Sequence, residues 1–96
     1  MTVKYSHLFS EGKIGNLRLR NRIVMPPMGT NFANADGSVS QTLIDYYTER
    51  ARGGVGLIIV EIVCVDSPVG KAITNQLCLD DDKYIGGFAD LAESVH

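Results

Sequence analysis

Long apolar runs are missing from this chain. The longest strongly apolar stretch runs only from Val55 to Val60, far short of the roughly 20 residues that span a bilayer. The amino terminus, Met1 to Phe9, lacks the apolar core of about 7–15 residues that marks a secretory signal. Charge of one sign is not in excess either. Nine basic and 11 acidic residues give a formal net charge of -2, which leaves no basic face for nucleic acid. Cysteine and histidine are sparse. Cys64 and Cys78 match no zinc or redox spacing and read as two free thiols. His7 and His96 stand near the two ends of the chain with no partner at ligand spacing, so no metal site is expected. Repeats, low-complexity tracts and linkers are absent. Together these gaps point to a cytoplasmic protein that engages neither nucleic acid nor membrane.

What remains is an ordinary globular composition, 45% apolar and 21% charged over 96 residues, at most one domain's worth of sequence. Lys13 to Arg20 alternates apolar and basic residues around Gly15-Asn16, the pattern of a hairpin. Ile23-Val24-Met25 is a short, continuously apolar strand, as expected where both faces are buried. Pro26 and Pro27 end its ladder. Gly29 to Val39 is a loop with turn formers Asn34, Asp36 and Gly37. Ser40 is placed to cap a helix from Gln41 to Arg52, with Leu43, Tyr47 and Ala51 on one face and Gly53-Gly54 at its exit.

A second buried strand follows at Gly56 to Val60, continuing toward Glu61 and Ile62. Val63 to Leu79 then reads as a long segment without regular elements, a length usually reserved for function. Asp80-Asp81-Asp82 opens a last helix with Phe88, Leu91, Ala92 and Val95 at helical spacing. Gly86 and Gly87 weaken its first turns. The order hairpin-β-α-β-α implies a parallel sheet with crossover helices. Two strands cannot finish such a sheet, and the next strand of the alternation is due after His96. The expectation is therefore the opening third or less of a larger α/β domain.

Several motifs lose to simpler readings. Gly54-Val55-Gly56 precedes a strand instead of following one, which excludes a dinucleotide fingerprint. Gly70-Lys71-Ala72 lacks both the first glycine and the hydroxyl of a phosphate loop. The three aspartates suit a helix start better than a cation. Glu61, at the C-terminal end of a buried strand, stands where such folds place ligands, and equally reads as a solvated strand end or a structural salt bridge. The strongest signal is Pro26-Pro27-Met28-Gly29-Thr30. It puts small, stiff or soft residues nearly free of donors at a mouth that normally needs polar turns. A flat aromatic ligand suits such a surface better than water does.

Arg22-Ile-Val-Met-Pro-Pro-Met-Gly29, followed by Gly53-Gly-Val-Gly-Leu-Ile-Ile-Val-Glu61, resembles the old yellow enzyme family of NADH:flavin oxidoreductases. It looks nearest to the anaerobic branch of 2,4-dienoyl-CoA and 2-enoate reductases. Leu8-Phe9 and Ile14-Gly-Asn-Leu-Arg-Leu-Arg-Asn21 fit that family's start, a hairpin plugging the bottom of the barrel. The resemblance implies that residues 1–96 are the N-terminal segment of a single FMN-binding (β/α)8 TIM-barrel domain. It also implies cofactor contacts at Pro26, Pro27, Met28, Gly29 and the backbone N–H of Ile62, and a substrate-side position at Asn31, where many relatives carry tyrosine. Relatives often have Thr or Cys where Gly29 stands, so tuning of the flavin would pass to Thr30 or a bare backbone N–H.

The implied chemistry is reduction of the C=C bond of an α,β-unsaturated carbonyl compound by an FMN that NAD(P)H recharges. Catalytic residues would all lie beyond residue 96, as would the phosphate-binding arginine. There is room there for an iron–sulfur cluster and FAD. The partners expected are a small-molecule substrate and further copies of the same protein, as a homo-oligomer. The alternative from a different class is a non-catalytic fragment that self-associates or pairs with a partner segment through its exposed strand edges. A different flavin- or phosphate-binding barrel is the third reading.

Overall fold

In the computed structural model, which describes residues 4–96, the chain opens with the expected hairpin. Strand β1 (Gly12–Ile14) pairs antiparallel with β2 (Leu17–Leu19), Gly12 opposite Leu19 and Ile14 opposite Leu17. Gly15 takes φ +57°, supplying the positive dihedral that a two-residue turn needs. The next two residues fasten the hairpin to the rest of the fold. Arg20 donates to the carbonyls of Ala51 and Val55 at 2.7 and 3.2 Å, placing a cation at the helix C-terminus, where it suits the dipole. Asn21 donates to the Gly54 carbonyl at 2.6 Å and accepts from the Ile23 N–H at 3.0 Å.

Strand β3 (Val24–Met25) lies parallel to β4 (Leu57–Ile58), with Val24 beside Leu57 and Met25 beside Ile58. The Ile59 N–H reaches the Met25 carbonyl at 3.1 Å, and the ladder stops there because the next residue of β3's bonded face is Pro27, which has no N–H to continue it. The crossover between the two strands is helix α1 (Gln41–Arg52). Ser40 caps it as the sequence predicts, its hydroxyl accepting from the Leu43 N–H at 3.0 Å and donating to the Phe32 carbonyl. At the far end Gly53 is the helical C-cap and Gly54 takes φ +109°. Gly56 is needed for a different reason: a Cβ there would sit 2.6 Å from the Asn21 carbonyl oxygen. These glycines serve a helix exit and a close chain crossing.

Side chains alternate across the strands. Met25, Ile58 and Val60 turn toward the helices and join Leu43, Tyr47, Leu77 and Leu91 in the main core. Val24 and Ile59 turn the other way and stay 44% and 45% exposed. The sequence predicts burial on both faces; within these residues only the helix-facing side is covered. An apolar sheet face left open in this way seeks cover.

One expectation is overturned. The segment after β4 is not without regular structure: β5 (Val63–Cys64) pairs parallel with β6 (Leu77–Cys78), Cys64 beside Cys78. Two-residue strands carry no readable periodicity, and this pair is held by packing of Cys64 and Cys78 on Tyr84 and Phe88. Both thiols are free and buried. The acidic run also works differently from the predicted single helix start. Asp81 caps a short 3-10 turn (Asp82–Tyr84) that leads into helix α2 (Ile85–Val95), while Asp80 accepts from the Ser67 N–H at 2.7 Å. Along α2, Leu91 is buried and Phe88 and Val95 pack beside it, but Ala92 faces solvent. Among the described residues no helix is long and apolar enough to cross a membrane.

Candidate cofactor site

The site lies where the two central strands run out. Beyond Met25 the chain continues through Pro26, Pro27, Met28 and Gly29, all exposed, and beyond Ile58 it reaches Ile62, 45% exposed. The parallel register puts both exits at the same end of the sheet. They touch: a Cβ on Gly29 would sit 3.8 Å from Ile62 Cδ1 and 3.5 Å from Ile73 Cδ1. The result is a lip of proline, methionine, glycine and isoleucine whose side chains carry neither charge nor a hydrogen-bond donor. Such a lip suits the flat aromatic face of a ring and does not suit a phosphate.

Directly behind the lip is a polar knot. Glu61 is only 2% exposed. Its Oε1 accepts from the Thr30 hydroxyl at 2.7 Å and from the Tyr47 hydroxyl at 3.0 Å, and its Oε2 accepts from the Thr30 N–H at 3.2 Å. The Tyr47 oxygen in turn accepts from the Glu61 N–H at 3.0 Å. Glu61 is therefore a buried structural carboxylate and not a solvated strand end. It forms no ion pair among the described residues. Burial, reinforced by the neighbouring carboxylate charge, pushes the Tyr47 phenol well above its ordinary value of 10.0. Tyr46, half-buried, meets the Tyr47 and Phe32 rings edge-on at 5.2 and 5.5 Å, and Arg50 lies 3.9 Å above it.

Thr30, next to Gly29, is committed to a protein partner. Its hydroxyl and its N–H both point at Glu61. Asn31 sits at φ +63°, a conformation asparagine tolerates better than most residues. Its side-chain oxygen accepts from the Asn75 N–H at 2.8 Å, which draws the long β5–β6 connection over to the lip. That connection also delivers Ile73 to Gly29, a contact the sequence does not reveal. Only the length of the segment hinted that it had a task.

A cleft of about 630 Å³ opens at the other end of the sheet, between the hairpin, the C-terminal turn of α1, the start of β4 and the end of α2. It lies at the N-terminal ends of the parallel strands, the end that serves stability in barrels of this type.

Comparison with known proteins agrees with this geometry. Residues 7–96 match the model of the NADH:flavin oxidoreductase / NADH oxidase family. The chain belongs to this family. It is 71% identical over 92 residues to an NADH oxidase of Thermoanaerobacter brockii, covering 96% of this chain and 14% of that protein. It is 36% identical over 100 residues to a cinnamate reductase of Clostridium sporogenes, covering 100% of this chain and 15% of that protein. Among solved structures, the old yellow enzyme from Trypanosoma cruzi superposes with a TM-score of 0.83 at 32% identity, over 96% of this chain and 24% of its own. The chain thus spans about a seventh of the curated relatives' length, and its elements are the N-terminal part of the family's TIM barrel.

Proposed function

We propose that the protein to which this chain contributes is an FMN-dependent oxidoreductase. It uses NAD(P)H to reduce the C=C bond of α,β-unsaturated carbonyl compounds such as enoates, enones or dienoyl thioesters. The observation that carries the reading is the lip of apolar side chains at the shared C-terminal end of β3 and β4. An FMN held there and reduced by NAD(P)H would supply the hydride for the activated alkene. The chain's own residues do the rest of what this segment can do. Pro26, Pro27 and Met28 present an apolar surface that excludes water from one side of the ring. Gly29 lets the backbone come close, and the Ile62 N–H offers a donor to the ring edge. Asn31 borders the substrate side. The names of the relatives, an NADH oxidase and a cinnamate reductase, favour this chemistry.

A single FMN-binding barrel domain begun by residues 1–96, cytoplasmic and homo-oligomeric, completes the proposal. Iron–sulfur and FAD groups, if the protein has them, belong to regions beyond residue 96. The test is spectroscopic. The purified whole protein should be yellow, with the absorbance bands of bound FMN, and NAD(P)H should bleach them until an enoate or enone restores them. A colourless protein that ignores added FMN would overturn the proposal.

The open apolar face at Val24 and Ile59 also favours a second reading for the segment taken alone, a non-catalytic piece that associates with itself or with a partner segment. Sedimentation of the isolated chain as a well-folded monomer would exclude it.

A further inference from the structure

Every proton in the knot behind the lip has an assigned direction. The Thr30 hydroxyl oxygen accepts from the Phe32 N–H at 3.2 Å, which leaves its own proton for Glu61. The Tyr47 oxygen accepts from the Glu61 N–H, which leaves its proton for the same carboxylate. Glu61 therefore acts only as an acceptor, at both oxygens, from three donors. Its position in the chain makes this consequential. Thr30 directly follows Gly29, and Glu61 directly precedes Ile62. One buried side chain thus ties together the two backbone segments that form the lip, and Tyr47 anchors the tie to α1.

We propose that Glu61 is a positioning residue for the flavin platform. Its carboxylate sets the spacing between the Gly29–Thr30 peptide and the Ile62 N–H, and so decides how well the ring fits. This rests on the flavin reading of the lip. A role confined to stability would lower the melting temperature of the protein and leave the flavin of the folded molecule unchanged. A positioning role changes the flavin itself. Because the carboxylate is a buried negative charge beside the platform, its removal also makes reduction of the cofactor easier.

The test uses the whole flavoprotein with Glu61→Gln, Thr30→Val and Thr30→Ser. Thr30→Val keeps the shape and the backbone donor but loses the hydroxyl, whereas Thr30→Ser keeps both donors. FMN is titrated into each folded apoprotein, and the midpoint potential of the bound cofactor is measured. Glu61→Gln and Thr30→Val are expected to weaken FMN binding about tenfold each, with Thr30→Ser close to wild type. Glu61→Gln is expected to raise the potential. Wild-type affinity in Thr30→Val, or a folded Glu61→Gln with unchanged affinity and potential, overturns the proposal while leaving the flavin reading intact. A wild-type protein that takes up no FMN overturns both.

Discussion

Tyr47 shows how much a single side chain is asked to do. Its hydroxyl satisfies both the N–H and the carboxylate of Glu61. Tyr47→Phe leaves a buried N–H without a partner and should cost about 1–3 kcal/mol of stability, measurable by denaturant unfolding of the whole protein. The pH dependence has a definite sign. The folded-state phenol titrates above its ordinary value of 10.0, so the unfolded chain releases this proton first as pH rises. The contribution is full below about pH 10 and is lost as pH climbs above it. Tyr47→Phe should remove that part of the alkaline loss, and an unchanged alkaline limb would show that another group causes it. Gly37 makes a second point at this scale. It has φ +89°, and a Cβ would lie 2.5 Å from Cys78 Sγ and 2.8 Å from Cys78 Cβ. Gly37→Ala therefore combines backbone strain with overpacking against β6 and should destabilise by about 3 kcal/mol, read as a lowered midpoint in thermal or denaturant unfolding.

Among elements, α1 matters most for the site, because it carries Tyr47 and forms the crossover between the strands that build the lip. Ser40 holds its start through the Leu43 N–H and the Phe32 carbonyl. Ser40→Ala should cost about 1–2 kcal/mol, and Ser40→Asn should recover most of it in the same unfolding measurement. This helix was legible from sequence because its cap, its apolar stripe and its terminal glycines all agree. The hairpin was legible from its alternation around Gly15-Asn16, and β3 from a continuous apolar run that stops at two prolines. The β5–β6 pair was not. Its strands are two residues long, their partner lies across a connection with no periodicity, and Cys64 and Cys78 find each other only through packing on Tyr84. Within the site, the apolar lip could be read from Pro26 to Gly29 directly. The commitment of Thr30 to Glu61 could not, because it depends on the β3 and β4 exits meeting in space.

For the molecule as a whole, the uncovered sheet face is the dominant fact. Val24 and Ile59 are nearly half exposed on strands whose other face is well packed, and a sheet with one bare apolar face seeks cover. The isolated chain should therefore sediment as oligomers or larger particles, whereas in the whole barrel the same residues line the interior. On the proposed reading, the strand-end lip is the working rim of the barrel that this chain begins. The most direct measurement is a diffraction structure of the whole protein with FMN bound. The ring should lie against Pro26 to Gly29 with the Ile62 nitrogen at about 3 Å from a ring acceptor. A flavin bound at the hairpin end, or more than one residue's reach from both Met28 and Ile62, would be incompatible with a cofactor platform at this rim.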